Sequence, residues 1–280
     1  MIEICQTPDI DQPPILIDVK HLSLVSRIEF YRNHVQHPII ASHVAVTGCS
    51  YMEKPICKVR KKHEHNVYKV KYKKLKGHLP DTHFKPDSIN LYDEDIMEIL
   101  KSGGLIGLIL DERVLGYQKS DHAHKEYISA KEWDRFVSSR ELARIKEMED
   151  LEDLEDELDD DDEDMVDKEE DCILKNDLPT CTKTAKLQTR YLLNNLWHII
   201  LIGDKMGHGI DPRKHVSLGS DFDGLINPVD NCVNVTQLDD LRMELKTQIF
   251  QFTPDIAPDI DLFLDDLFFR NGINFLKKYF

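Results

Sequence analysis

The run His215-Val216-Ser217-Leu218, leading directly into Gly219-Ser220-Asp221-Phe222-Asp223-Gly224, sets the frame for the chain. It is a short apolar stretch closed by an acid-rich turn. Three earlier runs share the apolar part: Pro14-Ile15-Leu16-Ile17-Asp18-Val19, Pro38-Ile39-Ile40-Ala41-Ser42 and Gly104-Leu105-Ile106-Gly107-Leu108-Ile109-Leu110. All four are apolar at consecutive rather than alternate positions, the pattern of strands buried on both faces of a parallel sheet.

Helical spacing fills the gaps between them. Leu24, Ile28, Tyr31 and Val35 recur at three- and four-residue steps after the first run. Ile96, Ile99 and Leu100 do the same, and Gly103-Gly104 supplies the glycine expected just past a helix end. Leu187, Tyr191, Leu192, Leu196, Ile199 and Ile200 form a long apolar face before the last run, and two more helices are predicted near 236–250 and 259–278. Strand–helix alternation of this kind predicts βα units with right-handed crossovers, hence an α/β layer or barrel.

Two charged inserts break the rhythm of what is otherwise read as a single domain over 1–280. The first, 54–86, opens with ten Lys or Arg between 54 and 78, with Tyr68 and Tyr72 among them. The alternation in Val67-Tyr68-Lys69-Val70-Lys71-Tyr72-Lys73 suggests an exposed hairpin, read as a solvated excursion in preference to a phosphate-binding surface. The second, 117–183, has helical spacing from Lys131 to Leu154 and then an acidic run that cannot bury enough apolar surface to order itself; disorder is expected from about 158 to 172.

Composition narrows the function classes. The formal charge is −16, but Glu147 to Asp171 alone holds 18 Asp or Glu and one Lys. The remainder has 34 acidic residues against 35 basic, so the acidity belongs to a segment and nucleic-acid binding gains no support. No stretch approaches 18 consecutive apolar residues, and the opening residues lack a signal-peptide pattern. The six cysteines form no CxxC pair, so reduced thiols and a cytoplasmic location are the default expectation.

Three of the four runs end in residues suited to a metal hydrolase: Asp18-Val19-Lys20-His21, Ser42-His43, and Ser220-Asp221-Phe222-Asp223. The C-terminal ends of strands in (β/α) barrels converge on one mouth. Two imidazoles there can hold a divalent metal, and a nearby carboxylate can exchange a proton with water. A single strand-end histidine is more often a hydrogen-bonded structural residue; two on successive strands with an Asp-rich turn shift that balance.

The same residues resemble a known family. Gly219-Ser220-Asp221-Phe222-Asp223-Gly224 is similar to the GSDFDG signature of the membrane (renal) dipeptidase family of zinc amidohydrolases. Ile17 to Ser23 resembles its DLSH strand end, and Pro38-Ile39-Ile40-Ala41-Ser42-His43 its P-V-x-x-S-H strand. Asp93 to Gly107 and Asn271 to Leu276 resemble the later helix and strand and the closing helix. The resemblance implies the last four βα units of a TIM-like (β/α)8 barrel, a C-terminal half only. It further implies His21 and His43 as zinc ligands, Asp221 as the catalytic carboxylate, and hydrolysis of a dipeptide substrate. Lys54 and Asp223 are the candidate substrate-binding residues, Lys54 standing near the position of the family's carboxylate-binding Arg.

The departures are as informative. The family's first-strand H-x-D and its bridging Glu have no counterpart; His63-Glu64-His65 and Asp121-His122-Ala123-His124 fall in the inserts and are not assigned as ligands. One zinc site is therefore expected and a binuclear site is incomplete. The reading is a dipeptidase-like hydrolase that is inactive until an N-terminal half chain or a homo-oligomer covers the open sheet edges. The alternative is a non-catalytic, partner-binding subunit or truncated remnant. Elsewhere, His198 is read as a core or helix-end hydrogen-bonding residue, His34 and His37 as helix C-terminal partners, and Cys49 as an idle thiol. Asp111 is a weaker candidate for the mouth, with a surface pair to Arg113 as the simpler role, and Gly203 to Gly209 carries no dinucleotide motif.

Overall fold

The computed structural model describes residues 15–33, 37–62, 67–117, 125–130, 132–133, 183–207 and 209–280. Its strands, in chain order, are β1 (Ile17–Asp18), β2 (Ile39–Val44), β3 (Ile56–Lys62), β4 (Val67–Tyr72), β5 (Leu75–Lys76), β6 (His83–Phe84), β7 (Leu105–Leu108), β8 (Lys125–Ser129) and β9 (Val216–Leu218). The helices are α1 (Leu24–Asn33), α2 (Asp93–Lys101), α3 (Glu112–Leu115), α4 (Lys183–Met206), α5 (Leu238–Phe252), α6 (Ile260–Asp265) and α7 (Asn271–Tyr279). A π turn, Asp266–Arg270, joins α6 to α7.

The four apolar runs form one parallel sheet in the order β1-β2-β7-β9. Among the described residues this sheet is open and no closed barrel is present. The helices fall where the spacing predicts them. Three acids in the first turn of α2 suit its positive end, and Asp95 reaches back to the Tyr92 amide at 2.9 Å. The helix stops at Gly103, whose φ of 71° requires a residue without a β-carbon penalty.

One expectation changes. The two faces of the sheet are covered unequally. Ile39, Ala41, Val44, Ile106, Leu108 and Val216 are fully covered and share one core with the inner faces of α2, α4 and α5. The alternate row is mixed: Asp18, Ile40 and Leu105 are in register across the sheet and only partly buried, Ser42 is exposed, and the paired Gly107 and Ser217 are buried. An uninterrupted apolar run reports hydrophobicity along the chain, whereas pleating decides which residues meet the helices.

The basic insert is likewise more than a solvated excursion. β3 and β4 form the expected hairpin, and β8 adds a third antiparallel strand. Ile56, Val70, Tyr72, Ile128 and Trp133 give this sheet its own small core, and Lys54 beside it is buried. Glu126 ties β8 to the body by accepting from the Tyr72 hydroxyl at 2.8 Å and the Ser88 amide at 3.1 Å. The start of the second insert is thus a strand. The helical spacing beyond Trp133, the acidic run with its expected disorder, and the histidines at 63, 65, 122 and 124 lie outside the described residues.

Candidate metal centre

Each candidate side chain is set by a local backbone device. At the end of β1, Asp18 Oδ1 accepts from the Lys20 amide at 3.0 Å and the Ser42 amide at 3.2 Å. That clamp ties the first strand end to the second. His21 then sits at φ 69° and Asp221 at φ 55°, both in the left-handed region; Asp81, in a surface turn, is the other non-glycine residue there among those described. Two of these three positions are candidate site residues, and such conformations persist when surrounding structure over-determines them.

On β2 the pairing with β7 shifts register between Ala41 and Val44. The resulting bulge lays the Ser42 carbonyl across the sheet, over Gly107 and Gly219, and a β-carbon at either glycine would run into that oxygen. This close approach gives the first glycine of the Gly219–Gly224 stretch a structural reason. The turn beyond it closes through Gly224 N–H donating to the Asp221 carbonyl at 2.8 Å, with the Asp221 carboxylate folded back over Gly224.

The bulge delivers His43 to His21. Their Nε2 atoms are 3.1 Å apart, with ring centroids 5.1 Å apart and planes at 56°. The Nδ1 of His43 is engaged by Ser42 Oγ at 2.7 Å, which leaves its Nε2 directed at His21. Two imidazole nitrogens at this separation either share one hydrogen or flank a cation.

Nearby charges act on the ionisation of the residues at these strand ends. His43 is held below the ordinary histidine range by desolvation, with Lys20 and His21 adding to the effect and Asp221 and Asp18 opposing it. Lys20, buried with its ammonium 3.4 Å from the Ile89 carbonyl, is lowered to about 8 by burial and by Arg27 and Lys85, against the pull of Asp18 and Asp221. The charge of Asp221 is therefore felt at both His43 and Lys20. Sequence reasoning singled out neither Lys20 nor Ser42 as a site residue; their adjacency to His21 and His43 was the available signal.

The other candidates have surroundings of their own. Asp223 is exposed in the turn. Lys54 lies with its ammonium 5.2 Å from the centre of the Tyr92 ring and feels Glu126 and Glu132, placing it beneath the antiparallel sheet. Asp111 caps α3, pairs with Arg113 at 3.2 Å and accepts from the Asn227 amide, so it braces the loop after Asp221. His198 is hydrogen-bonded in the core as expected, between Asp93 at 2.8 Å and His78 at 2.9 Å. The thiols of Cys49 and Cys232 are pushed up to about 12 by burial and are inert. Among the described residues, no group of three or more His, Cys, Asp or Glu is arranged to hold a metal ion. No helix among them is long and apolar enough to cross a membrane.

No family model matches the chain, and no curated protein matches it. Among solved structures it is similar to a metallo peptidase from Rhodobacter sphaeroides liganded with a phosphinate mimic of the dipeptide L-Ala-D-Ala, at 16% identity and a TM-score of 0.47. That match covers 95% of this chain and 43% of the other. It is also similar to the dipeptidase AC, a metallo peptidase of family M19, at 16% identity and a TM-score of 0.46, covering 95% and 44% respectively. The chain spans less than half the length of either structure. The chemistry of the site rests on the side chains themselves.

Proposed function

We propose that the chain provides part of a metal-dependent, dipeptidase-like hydrolase centre, with His21 and His43 as metal ligands and Asp221 as the proton-carrying carboxylate. The observation that carries this reading is the 3.1 Å approach of the two Nε2 atoms at adjacent strand ends. Zinc–imidazole bonds of about 2.0–2.1 Å in a tetrahedral site put two ligand nitrogens roughly 3.3 Å apart, so the pair fits two positions around one ion. The fit stops there, because zinc sites ordinarily take three or four protein ligands and the described residues offer no third. The remaining donors come from another polypeptide segment, an N-terminal half chain or a second copy, set against the open sheet.

A metal held there would polarise the carbonyl of a dipeptide's amide bond. The protein's own contributions are more specific. Ser42 fixes the His43 ring through Nδ1. Asp18 locks the two strand ends in register. Asp221 takes a proton from the attacking water and returns it to the leaving amine. Asp223, exposed two residues after Asp221, is taken as a substrate-binding residue; Lys54, buried against Tyr92, is taken as a counter-ion for Glu126 and Glu132.

The second reading is a non-catalytic subunit that binds a partner through the open sheet. One titration separates the two. Zn²⁺ or Mn²⁺ is added to the purified chain and to the His21→Ala/His43→Ala variant, and bound metal is counted after gel filtration. Metal retained by the wild type and lost in the variant supports the hydrolase centre; equal content in both discards it. Dipeptide hydrolysis assayed on the metal-bearing protein then tests the reaction itself.

A further inference from the structure

The outer face of the β3-β4-β8 sheet concentrates positive charge. Cross-strand register sets Lys58, Lys71 and Lys125 in one row and Arg60, Lys69 and Tyr127 in the next. These two rows hold five cations, one tyrosine and no acid. The intervening residues Tyr68, Val70, Tyr72 and Ile128 belong to the small core on the other side, so pleating gives the charged rows the face away from it. Lys71 and Tyr127 are exposed, and the Lys69 ammonium lies 6.0 Å from the centre of the Tyr127 ring. Like charges directly opposite one another on neighbouring strands destabilise a sheet. A face built this way gains from an anionic cover.

The chain carries such an anion, tethered to the same sheet. β8 forms one edge, and Trp133 just beyond it packs into the sheet's core with its ring stacked on Tyr68 at 4.7 Å. Residues 134–146 then lead to the Glu147–Asp171 run, with its 18 acids and one Lys. That connection is long enough to reach any point on the face. Even at the roughly 1.5 Å per residue of a helix it would span about 20 Å. The strand at the far edge, β3, is only about 10 Å from β8 at ordinary strand spacing.

We propose that the basic face of this sheet is a docking surface for the chain's own acidic segment, Glu147 to Asp171, held by carboxylate–ammonium pairs along the two rows. Charge and connection together select this occupant. Outside the segment the chain has 34 acids and 35 bases, so this run is the largest concentration of acid in the sequence. Each surface ion pair is weak and screened by salt, but a short tether holds the segment near millimolar effective concentration. An external polyanion such as a nucleic acid has to displace it. The contact requires no metal and does not involve His21 or His43.

Zero-length carbodiimide coupling joins carboxylates to ammonium groups in contact, and mass spectrometry of the full chain then reads which residues have been joined. Links are expected from acids within 147–171 to Lys58, Lys69, Lys71 and Lys125, and are expected to vanish in about 1 M salt. In a mixture of isotope-labelled and unlabelled chains, the links stay within single chains. Heparin is the second probe. A full-length variant with the Asp and Glu of 147–171 changed to Asn and Gln should bind it at least about tenfold more tightly than the wild type in about 0.1 M salt. Lys69→Glu combined with Lys71→Glu in that background should remove the gain, with circular dichroism melts checking that the variant is folded. Links that are absent or lead elsewhere, links chiefly between different chains, or equal heparin binding by the wild type and the neutralised variant would each overturn the proposal. The coupling pattern is read on the wild type, so it decides the matter even where a variant misfolds. None of these outcomes bears on the metal titration, which fails or succeeds independently.

Discussion

Arg27 Nη2 lies 3.1 Å from Asp95 Oδ2, and both side chains are 1% exposed. The same guanidinium donates to the carbonyls of Leu22, Ser88 and Asn90, and the Tyr31 hydroxyl donates to Asp95 at 2.8 Å. One buried ion pair therefore joins α1, α2 and the 88–90 segment behind the strand end that bears His21. Arg27→Met would leave Asp95 buried without its counter-charge and is expected to cost about 3–5 kcal/mol. Urea unfolding monitored by circular dichroism measures this, and a loss under about 1 kcal/mol contradicts it. Replacing both partners with apolar residues should cost clearly less than the single change.

Gly219→Ala places a methyl group against the Ser42 carbonyl. The backbone on one side or the other must move, for an expected loss of about 1–3 kcal/mol. The displaced oxygen belongs to the bulge that carries His43, so the His21–His43 approach opens as well. Thermal melts measure the first effect. Histidine-resolved NMR spectra measure the second, and unchanged His21 and His43 resonances would count against the bulge as the positioning device.

Two groups outside the strand ends give opposite pH signatures. His78 is lowered to about 4, by desolvation against its neighbours and then by His198 and Lys205. Its folded value lies below the unfolded one, so the native state resists protonation. Its contribution is intact above about pH 6.5 and is lost as pH falls toward about 4. Asp87 is raised to about 6 by burial, with one carboxylate oxygen lacking a partner among the described residues and Lys85 at 3.4 Å. There the unfolded state gives up its proton first, so stability falls as pH rises from about 4 to about 6. His78→Gln should flatten the acid-side loss. Asp87→Asn should stabilise the protein at pH 7, by up to about 3 kcal/mol for a shift of this size, and have no such effect below pH 4. Urea midpoints collected from pH 4 to pH 8 distinguish the two; identical slopes in wild type and both variants would refute them.

Much of the scaffold was readable in the residues. The four apolar runs became four parallel strands, and the helical periods fell on α1, α2, α4 and the C-terminal helices, because burial against a common core imposes the same spacing wherever it occurs. His21 and His43 were suspected for a local reason, since each closes a strand run. β8 was missed because its pairing with β4 joins residues about sixty positions apart, and the period of Lys125–Ser129 alone does not announce a partner. The surroundings of Lys54 were hidden for a similar reason. Its position in the chain suggested a substrate contact, while Tyr92, Glu126 and Glu132 come to it from three other segments.

Hydrophobic order along the chain thus determined which segments are strands and helices, since each must hide an apolar face whatever surrounds it. Tertiary structure alone decided which face of the sheet is covered, because pleating assigns alternate residues to opposite sides. It also decided that two imidazoles 22 residues apart stand within hydrogen-bonding distance. That approach depends on a left-handed residue at 21 and on a bulge crossing two glycines of other strands, and neither is written into the local sequence around either ring.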